Sequence, residues 1–179
     1  MKNKRRRGYT LVELIVSVGL FALIMTLAAG AYLIVIGVNR QTEGISSGID
    51  NLSFALETMT RTIRTGTNYG CPIAGTDCSG GNTFSVENSS GYTVSYSYVH
   101  NGAITQQIGS GAAVSLTDPS ISITSLTFYT TGVEPYHANG DIKQARVTIV
   151  VSGTVLGESK TVPVAFTVET GATMRGSDL

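Results

Sequence analysis

Few side chains in this 179-residue chain could carry chemistry, and Glu13 is the first of them. It stands at the head of a long apolar run, Leu14 to Val38. A carboxylate costs about 2.5–3.5 kcal/mol at the centre of a membrane-spanning helix and less near its end. Such a residue is a functional candidate by default, with a cation as its natural partner. Cys71 and Cys78 are the second candidate. They are the only cysteines, and they bracket the turn-rich stretch from Pro72 to Asp77. In an exported domain this pair is expected to close a disulfide, restricting the unfolded chain by about 2–3 kcal/mol. In a reducing compartment the two would stay thiols.

The remaining candidates are weak. Two cysteines supply half of a zinc site, and His100 and His137 stand at no ligand spacing from them. Asp77, Asp118 and Asp141 lie in polar stretches without the clustered D-x-D-x-D run of a calcium loop. There is no G-x-S-x-G, no H-E-x-x-H and no Gly-rich phosphate loop with its lysine. Gly80-Gly81 and Gly109-Ser-Gly111 read as turns. No metal, no cofactor and no enzymatic activity are expected.

The elements that position Glu13 are clearer. Formal charge is zero, but five of the twelve basic residues (Lys2, Lys4, Arg5, Arg6, Arg7) precede Gly8. Without them seven basic residues face twelve acidic ones, a net of −5. No basic patch interleaved with aromatics follows, so no nucleic acid partner is expected. The basic run instead reads as a topogenic signal that keeps the N-terminus in the cytoplasm. Leu14 to Val38 is about 25 residues, enough for a helix to cross a bilayer. Ser17, Gly19, Thr26, Gly30 and Gly37 within it would let apolar helices approach closely, and Gly30 is the nearest candidate for a local weak point. A plain membrane anchor fits the same run. So does a signal peptide cut at Ala29-Gly30-Ala31, although Glu13 would interrupt its apolar region and the run continues to Ile36.

From Asn39 the pattern becomes amphipathic. Ile45, Ile49, Leu52, Leu56, Met59 and Ile63 recur at helical spacing and predict a core-facing stripe. Gly44 and Gly48 weaken this helix, by about 1 kcal/mol each relative to Ala, and Gly66 marks its end. Beyond it the period falls to two. Strands are predicted over Thr83–Val86, Tyr92–Val99, Ile121–Tyr129, Ala145–Val151 and Val162–Glu169, with a bulge or bend near Thr124-Ser125. Glu87–Gly91, Gly109–Gly111 and Val151–Gly153 read as separators, and Gly132 to Asp141 as a surface excursion. The expected fold is α+β: a long N-terminal helix, apolar then amphipathic, packed on a mostly antiparallel β-sheet head.

Gly8-Tyr-Thr-Leu-Val-Glu13, set between a basic leader and a long apolar run, resembles the N-terminus of type IV pilins and pseudopilins. Tyr9 stands where most members have Phe. The resemblance implies cleavage by a prepilin peptidase between Gly8 and Tyr9, N-methylation of Tyr9, and Glu13 as the fifth residue of the mature chain, acting in assembly. It divides the chain into a leader (1–8), a transmembrane and filament-core helix (9–38), the amphipathic half of that helix (39–66) and a β-rich head (67–179). Asn51 to Arg64, Ile123 to Tyr129, Gln144 to Ile149 and Phe166 to Arg175 resemble the minor pilin and J-type pseudopilin branch. The function implied is that of a structural minor pilin or pseudopilin of a type IV pilus or type II secretion pseudopilus. Its partners would be the prepilin peptidase, other pilin or pseudopilin subunits, the inner-membrane assembly platform and the membrane. Its location would be the bacterial inner membrane, single-pass with a cytoplasmic N-terminus, and after assembly the filament, with the head extracytoplasmic. A major type IV pilin would share these features. A membrane-anchored extracytoplasmic binding or adhesion module would keep the helix without the cleavage.

Overall fold

The structure, a computed structural model, describes residues 8–71, 73–133, 144–155 and 163–175. The basic leader, His137, Asp141, most of the Gly132–Asp141 excursion and the Val162 start of the last predicted strand lie outside the described residues. The chain forms two compact units with the boundary between Arg40 and Gln41.

One helix, α1 (Leu11–Thr65), begins in the first unit and ends in the second. In the first unit its apolar side chains are exposed all round, among them Leu14, Phe21, Leu27 and Leu33. It is the one described helix long and apolar enough to cross a membrane. Its hydroxyls are satisfied locally: Ser17 donates to the Leu14 carbonyl (2.9 Å) and Thr26 to that of Leu23 (2.8 Å). No other polar group is then needed to place them in an apolar medium.

In the second unit α1 turns one stripe inward. Leu52, Ala55, Leu56, Met59 and Ile63 are buried as their spacing requires. Ile49 departs from the expected stripe: it is 45 % exposed, and buried Gly48 takes its place. A Cβ on Gly48 would lie 2.5 Å from Val155 Cγ1. Gly48 is therefore a point of close approach between the helix and Val155 of the sheet, not merely a weak helix residue. Gly66 does follow the end of α1, but without the positive φ of a left-handed cap. A Cβ there would meet Val86 Cγ2 at 2.2 Å and the Glu87 carbonyl oxygen at 2.7 Å, so close packing is what requires glycine.

The head contains two antiparallel sheets. The first orders β1 (Thr67–Gly70), β3 (Phe84–Glu87), β4 (Thr93–Tyr98), β5 (Ile104–Ile108) and β6 (Val114–Ser115) in that sequence. The second orders β2 (Cys78–Gly81), β7 (Ile121–Thr131), β8 (Arg146–Val155) and β9 (Val164–Thr173). Period-two alternation holds best in β8, where Val147, Ile149 and Val151 are buried between half-buried or exposed neighbours. The bulge expected near Thr124 is present as a register shift between Ile123 and Ser125 against β8. Both sheets and the inner stripe of α1 share one core, with Tyr69, Phe84 and Phe128 at its aromatic centre.

Several expectations need correction. Gly80-Gly81 is not a turn but part of β2, paired with β7. Val151-Ser-Gly153 does not end a strand: β8 runs on to Val155. Gly153 sits where a Cβ would be 2.5 Å from the Ser122 carbonyl oxygen and 2.9 Å from the Phe166 ring, so the glycine permits strand packing. The strands β1, β2, β5 and β6 were not predicted at all.

Candidate functional site

Residues Gly8 to Glu13 form the start of α1. Gly8, Tyr9 and Thr10 precede the helix and are exposed, Tyr9 to 86 %. No heavy atom outside the immediate chain lies within 4 Å of a Cβ built on Gly8. The Gly8–Tyr9 bond thus lies in exposed chain ahead of the helix, where nothing need unfold to reach it. Thr10 is the N-cap: its Oγ1 accepts a hydrogen bond from the Glu13 backbone N–H at 3.3 Å. Glu13 is then the third helical residue, in the T-x-x-E spacing of a capping box. Its carboxylate lies in the first turn, where the unsatisfied N–H groups of the helix end favour negative charge by about 0.3–1 kcal/mol. Sequence reasoning overlooked Thr10, although the T-x-x-E pattern before an apolar run is a readable signal.

The helix end thus collects positive potential at one point. A free amine at Tyr9 would add a full positive charge beside the helix's own partial one. The Glu13 side chain, four residues on, is the one acidic group in α1 before Glu43. An apolar setting would strengthen any cation–carboxylate pair formed there and penalise either charge left alone.

Cys71 and Cys78 form a disulfide with Cα atoms 5.8 Å apart. Cys71 follows β1 in the first sheet and Cys78 opens β2 in the second, so the bond joins the sheets covalently. Both sulfurs approach the Phe128 carbonyl oxygen, at 3.5 and 3.4 Å; with no S–H left to donate, these are packing contacts. Thr130 Oγ1 accepts from the Cys78 N–H at 2.9 Å, and the Asp77 carboxylate accepts from the Val133 N–H at 2.9 Å. Asp118 accepts from the Ser120 N–H at 2.9 Å, and the hydrogen bonds from Ser120 hold its carboxyl below the usual carboxylate range. Asp118 therefore shapes a local turn, and Asp77 ties its loop to the chain just after β7. Among the described residues no group of three or more His, Cys, Asp or Glu side chains is placed to hold a metal ion. His100 lies in the turn after β4, exposed and remote in sequence from the cysteines.

At the far end of α1 the Tyr69 hydroxyl donates to the Ile63 carbonyl, and the Arg175 N–H to the Arg64 carbonyl at 3.0 Å. These satisfy carbonyls that have no partner within the helix. Burial pushes the Tyr69 phenol up to about 12.

Residues 3–29 match the family model of the prokaryotic N-terminal methylation motif. No curated protein and no solved structure matches the chain. The matched stretch covers Lys4 to Arg7 of the basic leader, the Gly8–Tyr9 junction, Thr10, Glu13 and 16 of the 25 residues of the apolar run. With this motif leading into one long helix and an antiparallel β head, the chain has a prepilin-type N-terminus and a type IV pilin-like architecture.

Proposed function

We propose that the chain is a structural subunit of a type IV pilus or type II secretion pseudopilus, of the minor pilin or J-type pseudopilin branch. The observation that carries this reading is the methylation motif at residues 3–29 leading into a helix whose membrane-length apolar window is unburied. Such a helix needs a membrane first and other helices afterwards. Peptidase cleavage after Gly8 exposes the Tyr9 amine, which is then methylated. In the assembled bundle the Glu13 carboxylate pairs with the N-terminal amine of an adjacent subunit. Pairing offsets the cost of two lone charges in an apolar medium and fixes the axial register between helices, as a buried polar residue does in a coiled coil. The patterns of Asn51 to Arg64 and of the late strands, ending at Met174-Arg175, support the branch assignment.

The test is intact-mass and N-terminal analysis of the protein from its native membrane. A chain beginning at N-methylated Tyr9 is expected. A start near Tyr32 would make it an exported protein without an anchor, and an uncut N-terminus would leave a membrane-anchored domain. Either result refutes the proposal. Glu13→Ala should leave membrane insertion intact and impair filament assembly; normal incorporation would refute the register role.

A further inference from the structure

The second sheet ends at one edge in a strand with little of its own to hold it. β2 is Cys-Ser-Gly-Gly, and from Ile73 to Thr83 no side chain is buried. Two of its residues are glycines, which lose the most freedom on ordering. Its register against β7 shifts between Cys78 and Gly81. The hydrogen bonds to Thr130 Oγ1 and from the Val133 N–H support only the end at Asp77 and Cys78. The buried group at this strand is the cystine. Cys71 is 2 % exposed, and a Cβ on Gly81 would lie 2.8 Å from its sulfur. β2 therefore wraps a sulfur that enters from the end of β1, and the bond at Cys78 keeps it there.

The edge beneath β2 is covered in two parts. Near the start of β7 the cover is the turn between β4 and β5. There the Asn101 N–H donates to the Ile123 carbonyl and the Ile123 N–H to the Gly102 carbonyl, both at 2.8 Å. That part belongs to the first sheet's own hairpin and does not involve the cystine. Further along, at Phe128 and Thr130, the cover is β2. We propose that the Cys71–Cys78 bond is a redox catch on β2: opening it frees Asp77 to Gly81 from the second sheet and bares the far half of the β7 edge, while α1 and both sheets stay folded. Of the buried core residues only Cys71 takes part in the bond, so the core keeps its other contacts. The bared edge, with Thr130 in it, is an unpaired row of backbone groups open to any extended chain. The oxidised head hides it. The catch lies wholly within the head and does not depend on filament entry.

The chemistry is thiol–disulfide exchange with a dithiol. One thiolate of the dithiol attacks the Sγ of Cys78, the less buried of the two. The S–S bond breaks, and Cys71 leaves as a thiolate that takes up a proton. The second thiolate of the dithiol then displaces Cys78, which is protonated in turn. The cystine gains two electrons and two protons, and the dithiol becomes a disulfide. A disulfide donor runs the same steps backwards and closes the catch.

The test compares the oxidised full chain in detergent micelles with the same chain after dithiothreitol, by hydrogen exchange read on peptides. Exchange over Cys78–Gly81 and over Phe128–Thr131 should quicken at least about tenfold, while β4, β5, β8 and β9 stay within about twofold. The Cys71→Ser/Cys78→Ser variant, without reagent, should show the same pattern. In the reduced chain iodoacetamide should alkylate Cys78 about tenfold faster than Cys71, whose sulfur stays in the core. Unchanged exchange at Cys78–Gly81, or equal alkylation of the two thiols, overturns the catch. Faster exchange throughout the head also overturns it, because the bond would then hold the whole core and not one strand. So does a bond that dithiothreitol leaves closed in the folded chain.

Discussion

The approach of Gly48 to Val155 makes a prediction in which two known effects oppose each other. Replacing Gly48 by Ala adds helix propensity worth about 1 kcal/mol. It also adds a methyl 2.5 Å from Val155 Cγ1 and 3.3 Å from Cγ2, whereas carbons in contact prefer roughly 3.5–4.0 Å. Val155 is 1 % exposed, and a β-branched side chain has few rotamers to retreat into. Helix and strand must separate by about 1 Å or the valine must leave its rotamer, and overpacking this close costs about 2–3 kcal/mol, the upper part of the usual range. The clash should win, for a net loss of about 1–2 kcal/mol and a Tm about 3–6 °C lower. Val155→Ala removes both γ-methyls and leaves Cβ as the nearest atom, at 3.5 Å, an ordinary contact. In that background Gly48→Ala should stabilise, by about 1 kcal/mol. The sign reversal, a coupling of about 2–3 kcal/mol, is the result to look for. Thermal unfolding of the detergent-solubilised chain can be followed by near-UV circular dichroism of its eight tyrosines, which no tryptophan obscures. A stabilising Gly48→Ala in the wild-type background would show that the helix does not press on β8 at this point.

Three further perturbations test other contacts. Changing Cys71 and Cys78 to Ser should destabilise the head by about 2–3 kcal/mol on the chain-entropy account, measured as a shift in denaturation midpoint; an unchanged midpoint would mean that the link between the sheets constrains nothing. Tyr69 gives a pH dependence: its folded pKa, about 12, lies above the ordinary value of 10.0. The folded state holds the phenol proton more tightly, so this contribution is complete below about pH 10 and is lost as pH rises towards 12. Tyr69→Phe should flatten that alkaline decline and cost about 1 kcal/mol at neutral pH for the lost hydrogen bond, read from unfolding curves at pH 7 to 11. Thr10→Ala should fray the first turn of α1 by about 1 kcal/mol, visible as faster amide exchange at Val12 and Glu13 in micelles; unaltered exchange there would remove Thr10 as the cap.

The parts of the fold readable in the sequence are those where burial follows side-chain type. Leu52, Leu56, Met59 and Ile63 announce a helix stripe, and Ala145 to Val151 a half-buried strand, because each apolar residue lies where its period places it. Glycine defeated that logic. Gly66 read correctly as the helix end. Gly48 and Gly153 read as a weakness and a break, yet each marks a close approach to a packed neighbour, which depends on the partner strand and leaves no local trace. Thr67–Gly70 and Cys78–Gly81 are too short and too polar to declare themselves; partner strands and the disulfide between them make them strands. Ile104-Thr-Gln-Gln-Ile108 escaped for a related reason. Gln106 faces inward and donates to the Tyr96 hydroxyl at 3.1 Å, a polar pairing that no alternation of apolar residues reveals. At the N-terminus the functional pattern was legible because it is short, contiguous and made of unusual neighbours.

The hydrogen bond from the Arg175 N–H to the Arg64 carbonyl, with Met174 buried beside it, makes the end of α1 depend on a distant part of the chain. Arg64 and Arg175 are 111 positions apart. Until β9 pairs with β8, the Arg64 carbonyl lacks the Arg175 donor and the core lacks Met174 and Ala172. A chain cut before β9 would keep α1 and lose both the donor to the Arg64 carbonyl and two core residues, so one strand completes the helix end and the core together.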